Sequence, residues 1–213
     1  MGDLVQAPAP PPQPGAGQPV YRATQPGDRL WQGEILENVV QIRPTVESIA
    51  ANVLGQLEFA PVIHELVVVM SQDCDLDQDY ARRAEHREGT LPNIMLCDVY
   101  RAEVLRALVR QRDQLGSQDW RKRIAQNQNE RFHYLQRTEP AQDLQREGLS
   151  ALALDFKLYF TLPTDELYAR LSQGIRRRCI LNTPYAEHLA HRFFKFQSRV
   201  ALPQDHQIDA VPD

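Results

Sequence analysis

The chain has 213 residues, which is enough for one domain of ordinary size, alone or with an extension. Hydrophobic residues make up 42% of the chain and charged residues 24%, a balance typical of a soluble globular protein. This composition excludes a wholly disordered, collagen-like or coiled-coil protein. The longest apolar run covers residues 66–70, far short of the roughly 20 residues that span a bilayer, so we expect no membrane partner.

Cysteine usage points to a reducing compartment. Cys74, Cys97 and Cys179 form no Cys-x-x-Cys pair, which argues against a disulfide framework or a zinc ribbon. The N-terminus also lacks the charged and apolar segments of a secretory signal, so we expect a cytoplasmic protein. Cys74 lies between Asp73 and Asp75, whose charges disfavour a thiolate, and we expect a buried, inert thiol there.

Charge is unevenly distributed along the chain. The formal net charge of −4 speaks against a generic nucleic-acid binder, yet residues 170–199 hold seven Arg or Lys and one Asp or Glu. These cations either bind phosphates or pair with the acidic first half of the chain, and pairing is slightly favoured. The residues predicted to bind RNA or another single-stranded nucleic acid are Arg170, Arg176, Arg177, Arg178, Arg192, Lys195 and Arg199.

The two ends of the chain differ from its middle. Residues 1–26 hold seven of the 15 prolines and predict a disordered, polyproline-like tail. The final residues, 204–213, predict a frayed C-terminal tail. The sequence therefore predicts a single domain over residues 27–203.

The first half of this domain reads as strands separated by polar segments. The predicted elements are a strand within 29–42, a short helix or strand pair at 46–57, a buried strand at 66–70 and a strand within 91–99. A polar loop is predicted from Ser71 to Asp79, and residues 80–90 read as charged and exposed.

The second half changes period. Residues about 100–127 predict an inserted pair of helices, because apolar residues recur there at helical spacing. Strands at 131–135, 152–162 and 178–181 follow, with a short helix ending at Leu171. A closing helix is predicted at 184–196, with Thr183 as N-cap and Pro184 at the first helical position. This order predicts an α+β fold around a small, curled sheet.

The stretch from Asp73 to Asp79 carries four carboxylates at alternate positions. Asp73 and Asp75 are candidate ligands for a hard cation such as Mg²⁺. An EF-hand is excluded, because Gln78 stands where glycine is needed and Ala84 where glutamate is needed. The alternative is that these carboxylates cap loop amides and need no metal, and this alternative is favoured. We therefore expect no cofactor, with Mg²⁺ as the alternative.

Several segments resemble the MazF/PemK-like toxin family. Gly33-Glu-Ile-Leu-Glu-Asn-Val resembles the opening strand of that family, and the run 66–71, ending in Ser71, resembles its second core strand. Residues 154–162 resemble its late strand, and 178–181 with the following helix resemble its closing segment. The resemblance implies a small SH3-like (MazF/PemK-like) β-barrel with a C-terminal helix, which in this chain is elaborated by the inserted helical pair at about 100–127.

The resemblance also implies candidate functions. Toxins of this family cleave single-stranded RNA without metal, assisted by an arginine and a hydroxyl side chain. Ser71 matches the hydroxyl, whereas the arginine position reads His64-Glu65, and the Arg43-Pro44 pair lies earlier. The missing arginine and the acidic stretch after Ser71 count against cleavage.

The preferred function is therefore a binding or regulatory module of a bacterial toxin–antitoxin or phage-defence system, with a protein or nucleic-acid partner. One alternative is a metal-independent endoribonuclease using Ser71 and Arg43. A second is a metal-dependent phosphotransfer or hydrolytic enzyme using Asp73 and Asp75.

Overall fold

The computed structural model describes residues 19–50 and 57–199. The predicted tail at 204–213, residues 1–18 of the predicted N-terminal tail and residues 51–56 lie outside the described residues. Part of the predicted N-terminal tail is a strand: Tyr21 is buried and pairs with Leu181 in the sheet. Burial of the Tyr21 ring in the core stabilises this strand, although the sequence around it is rich in proline.

Seven strands form one antiparallel sheet in the order β1-β7-β2-β3-β4-β6-β5. The strands are β1 Tyr21–Ala23, β2 Glu34–Pro44, β3 Phe59–Val69, β4 Asn93–Arg101, β5 Phe132–Leu135, β6 Leu152–Pro163 and β7 Arg176–Leu181. The helices are α1 Val46–Ala50, α2 Asp73–Ala84, α3 Ala102–Arg112, α4 Ser117–Asp119, α5 Thr164–Leu171 and α6 Tyr185–Gln197. A π-helical turn, Trp120–Ile124, continues α4, and a 3₁₀ turn covers Pro140–Gln142. The α+β class is confirmed.

The sheet curls strongly but is not closed into a barrel. The Gln41 side chain in β2 donates to the Thr161 carbonyl in β6, with a nitrogen–oxygen distance of 3.4 Å, although β3 and β4 lie between those strands. Closure would require the edge strands β1 and β5 to pair, and these have only three and four residues. Each is paired on one side within the described residues.

The acidic stretch forms a helix, and its prediction as a polar loop is wrong. Asp73 and Asp75 lie in the first turn of α2, where negative charge is favoured by the helix dipole. Leu76 is buried in the core, and Asp79 pairs with Arg83 one turn later. The alternating carboxylates therefore belong to an amphipathic helix.

Helices cover both faces of the sheet. On one face, Phe193 and Phe196 of α6 pack against Phe156 of β6, with ring centroids 5.6 and 5.8 Å apart. On the other face, Leu76 of α2 and Leu167 of α5 are fully buried in a second apolar cluster. Helix α3 and the π-helical turn Trp120–Ile124, in the region of the predicted insertion, form a third cluster with β5 and β6.

The start of α6 differs in detail from the prediction. Pro184 occupies the N-cap position, and the Thr183 hydroxyl donates to Glu187 at 2.8 Å instead of capping the helix. Helix α6 therefore begins at Tyr185, and its buried face is Leu189, Ala190, Phe193 and Phe196.

Candidate functional site

A cleft opens where strands β3 and β4 separate. Their ladder ends at the pair Val67 and Asp98, although β3 extends back to Phe59 and β4 continues to Arg101. The cavity there has a volume of about 590 Å³. We call it the β3–β4 cleft; its lining is Arg43, Val62, Ile63, His64, Glu65, Leu66, Asp98, Val99, Tyr100, Arg101, Val104, Lys157, Leu158, Tyr159 and Phe160.

A bulge in β6 accompanies this separation. Cys97 pairs with Tyr159 and Val99 pairs with Leu154, so four residues of β6, 155–158, lie opposite the single residue Asp98. The Asp155 carboxylate supports the bulge by accepting from the Lys157 amide at 3.1 Å and from Arg131 Nε at 2.8 Å. A bulge bends its strand and redirects nearby side chains. The bulge in β6 therefore accounts for polar side chains at a cleft within the sheet.

His64 and Asp98 form a polar pair in the cleft. His64 Nδ1 lies 2.6 Å from Asp98 Oδ1, and the imidazole stacks on Phe160 with ring centroids 4.0 Å apart. The carboxylate favours the tautomer with its proton on Nδ1, which leaves a lone pair on Nε2.

The second nitrogen of this imidazole lacks a partner. The His64 side chain is only 5% exposed, and its Nε2 makes no hydrogen bond within the described residues. A buried unsatisfied polar atom costs about 1–3 kcal/mol. A ligand group that donated to Nε2 would recover part of that cost.

The rim of the cleft combines cations with exposed apolar groups. Arg101 lies 3.5 Å from Glu65, while Arg43 and Lys157 have no carboxylate partner in the part of the chain that the structure describes. Ile63 and Tyr159 are 69% and 46% exposed. This combination favours an anionic partner that also offers apolar contacts.

Ser71 and Arg43 are not brought together. The Ser71 hydroxyl accepts from the Met95 amide at 2.8 Å, so it ties the end of β3 to β4. Arg43 pairs with Ala60 at the opposite end of β3, nine residues before Val69, which corresponds to about 30 Å of strand. Arg43 lines the β3–β4 cleft instead.

Asp73 is engaged by an arginine. Its two carboxylate oxygens each lie 3.0 Å from an Arg29 nitrogen, and the Gln32 amide donates to it at 3.1 Å. Burial alone would raise the pKa of Asp73, but these hydrogen bonds lower it below its ordinary value.

Cys74 is exposed, so the prediction of a buried thiol at this position is wrong. Residues 19–50 and 57–199 contain no group of three or more His, Cys, Asp or Glu arranged to hold a metal ion.

The triple arginine of β7 binds acidic groups of this chain. Arg177 contacts both oxygens of the buried Glu34, at 2.6 and 2.9 Å. Arg178 contacts the buried Asp143 at 2.7 and 3.0 Å and Glu37 at 2.6 Å. Arg176 bridges Glu37 and Glu147 at 3.2 and 2.6 Å.

The other cations of the predicted nucleic-acid set are dispersed. Arg170 pairs with Glu166 at 2.7 Å and donates to the Val40 carbonyl. Arg199 donates to the Phe196 carbonyl, and Lys195 is exposed on α6.

Arg192 belongs to a buried contact. It donates from Nε to His133 Nδ1 at 3.1 Å and also to the Phe132 carbonyl. Burial, followed by the charge of Arg192, lowers the pKa of His133 to about 3. Because Arg192 also donates to the Asn127 carbonyl at the end of the helical insertion, it fastens α6 to both that insertion and β5.

Sequence reasoning did not select His64, Asp98, Arg101 and Lys157 as site residues. A weak signal existed at one position, because Asp98 is a single polar residue within the apolar run 94–100. The proximity of His64 and Asp98 depends on a contact between residues 34 positions apart, which no local pattern encodes.

No protein-family model, curated protein or solved structure matches this chain.

Among the described helices, none has the length and apolar character needed to cross a membrane.

Proposed function

We propose that this protein is a binding module that holds an anionic partner in the β3–β4 cleft. The observation that carries the proposal is the early end of the β3–β4 ladder, which leaves a cavity with the His64–Asp98 pair among its lining residues. The cations Arg43 and Lys157 support an anionic partner, because they lack carboxylate partners among the described residues. The cleft lining holds three cations, Arg43, Arg101 and Lys157, and two carboxylates, Glu65 and Asp98, so its formal charge is positive although the chain as a whole carries −4.

Charge reversal in the cleft tests this function. Two fluorescein-labelled probes are titrated by fluorescence anisotropy: a decapeptide of alternating Glu and Val, and a single-stranded RNA decamer. Arg101→Glu combined with Lys157→Glu is expected to weaken binding of the better probe by about 10–100-fold, because attraction becomes repulsion.

The control reverses two exposed cations outside the cleft, Arg121→Glu with Lys122→Glu, and is expected to bind like the unchanged protein. The proposal fails if neither probe binds, or if the cleft and control variants bind equally well.

A second candidate is a metal-independent endoribonuclease at the same cleft. His64 contacts Asp98 through Nδ1 and has no hydrogen-bond partner at Nε2 within the described residues. A histidine that acts as a general base is commonly held in one tautomer by such a carboxylate. Nε2 would accept the 2′-hydroxyl proton while the 2′ oxygen bonds to phosphorus. The bond from phosphorus to the 5′ oxygen then breaks, and that oxygen takes a proton from water.

RNA cleavage in the presence of EDTA tests this candidate. His64→Ala is expected to lower the rate by about 100-fold or more, and His191→Ala, at an exposed histidine of α6, is expected to leave it unchanged. Equal cleavage by the His64→Ala variant would show that His64 is not the general base. Loss of cleavage when EDTA is added to the unchanged protein would show that the reaction depends on a metal ion.

A MazF/PemK-like relationship, with a toxin–antitoxin or phage-defence setting in the bacterial cytoplasm, is also proposed. The curl of the sheet, with Gln41 reaching Thr161, and the C-terminal helix packed on the sheet support it. A metal-dependent enzyme built on Asp73 and Asp75 has less support, because Arg29 and Gln32 already bind Asp73.

A further inference from the structure

Strands β2 and β3 extend past the rest of the sheet as a two-stranded arm. Pairing of β2 with β7 ends at Glu37, and pairing of β3 with β4 ends at Val67. Within the described residues, β2 and β3 pair only with each other beyond those points, through residues 39–44 and 59–64. We call these two segments the β2–β3 arm. Two paired strands alone are marginally stable in water, so the arm depends on what packs against its faces.

Hydrogen bonding across the arm alternates from pair to pair. The Thr45 amide donates to the Glu58 carbonyl at 2.8 Å, as in a hydrogen-bonded pair. The register of the arm is constant, so Pro44 and Pro61 belong to the alternate pairs, which are not hydrogen-bonded. Their missing N–H groups therefore interrupt the outer edges of the arm instead of its ladder. This arrangement disfavours the addition of a further strand.

The inner face of the arm packs against the rest of the protein. Directly paired residues direct their side chains to the same face of a sheet, so Val39 shares this face with its partner His64. Val39 is buried in the core, and His64 stacks on Phe160. Gln41, two residues after Val39, donates to the Thr161 carbonyl in β6. The opposite face of the arm is therefore the outer one.

The outer face consists entirely of apolar residues. Its three pairs are Val40 with Ile63, Ile42 with Pro61, and Pro44 with Phe59. Ile42, Phe59 and Ile63 are between 48% and 69% exposed, and both prolines are exposed as well. An outer face with no polar residue is unusual, because strands at a protein surface normally alternate apolar and polar residues.

This apolar surface is large for a monomer. Helix α1 follows the arm, and its Val46 and Ile49 side chains are more than half exposed. Together with Ile42, Phe59 and Ile63 they expose on the order of 600 Å², the upper end of the range for the largest apolar patch of a typical monomer. A stable interface buries about 800 Å² on each partner. The outer face and α1 therefore have about the extent of an interface.

We propose that a second copy of this chain packs on the outer face of the arm, which makes the protein a twofold-symmetric dimer. A twofold interface brings the same surface of both copies together, so charged residues there would meet their own kind. The outer face has no charged residue and is therefore compatible with itself. The two prolines favour packing of face on face over continuation of the sheet from copy to copy.

A separate protein partner fits these features less well than a second copy. Interfaces that form and dissolve are about as apolar as ordinary protein surface, whereas interfaces between identical subunits are more apolar. Ile63 lies on the outer face and also lines the β3–β4 cleft, so the dimer would place the rim of each cleft beside the second copy. The inference does not depend on what the cleft binds.

Sedimentation equilibrium of the full-length chain tests the dimer. At micromolar concentrations the unchanged protein is expected to have twice the chain mass of 24.4 kDa. Phe59→Lys is expected to raise the dissociation constant of the dimer by about 100-fold or more, because each interface would then bury two unpaired ammonium groups.

The matched control is Phe194→Lys. Phe194 is 42% exposed on α6, outside the arm, and this variant is expected to dimerise like the unchanged protein. Ile42→Lys is a second variant of the outer face and is expected to behave like Phe59→Lys. Circular dichroism checks that each variant is folded, and if Phe59→Lys does not fold, Ile42→Lys decides.

The possible outcomes separate a dimer through the arm from other arrangements. Conversion of the dimer into a folded monomer by the outer-face variants, but not by Phe194→Lys, would support the inference. A monomer at every concentration would overturn it and leave the outer face to a different partner. A dimer that both outer-face variants leave intact, or that Phe194→Lys disrupts equally, would also overturn it.

Discussion

Arg177→Met is expected to lower the free energy of unfolding by about 3–5 kcal/mol, because the substitution leaves Glu34 buried without its countercharge. Glu34 is completely buried, and burial raises its pKa although Arg177, Thr24 and the Trp31 amide bind the carboxylate. Arg177 also donates to the carbonyls of Asp28 and Arg29, which ties the entry to β2 onto β7. Urea unfolding at neutral pH measures the change.

Two further variants test the cause of this loss. Adding Glu34→Gln to Arg177→Met is expected to restore about 1–2 kcal/mol, because no buried charge remains. Arg137→Met removes an exposed pair with Glu139, whose side chains are 77% and 56% exposed, and is expected to change stability by less than about 0.5 kcal/mol. An Arg177→Met protein as stable as the Arg137→Met protein would contradict a structural role for this ion pair.

Asp143→Ala is expected to cost about 3 kcal/mol at neutral pH, because it removes a buried acceptor on which several donors converge. Asp143 is fully buried and accepts from Arg178 at 2.7 and 3.0 Å. The amides of Gln145, Glu147 and Gly148 donate to it at 3.1, 3.2 and 2.9 Å. The exposed Asp165→Ala is the control and is expected to change stability by less than about 0.5 kcal/mol.

The contribution of Asp143 also depends on pH. Burial opposes ionisation, but the hydrogen bonds from Arg178 and the loop amides lower the pKa of Asp143 below its ordinary value. A lowered folded-state pKa means that the unfolded chain binds the proton more readily, so stability is lost as pH falls below about 4. The difference between Asp143→Ala and the unchanged protein is therefore expected to shrink in acid. A constant difference between pH 7 and pH 3 would show that the carboxylate charge is not its source.

These two sites explain why the basic region was only partly interpretable from sequence. The surplus of cations over 170–199 predicted either a phosphate-binding surface or pairing with the acidic first half of the chain. Arg177 pairs with Glu34 and Arg178 with Glu37, so pairing accounts for the triple arginine. The partners lie more than 140 residues away along the chain, beyond the reach of any local pattern. Nucleic-acid binding by the remaining cations stays a prediction.

Sequence by itself determined the α+β class, the buried strand through residues 66–69 and the closing helix, because local periodicity reports which side of an element is buried. It failed at the acidic stretch of α2, where Leu76 anchors a helix that the carboxylates alone did not predict. Only the tertiary structure decided the β3–β4 cleft. That cleft depends on where a ladder ends, on a bulge opposite Asp98 and on a contact from Asp98 to His64. Each of these is set by packing between segments distant in sequence, so no local pattern predicts them.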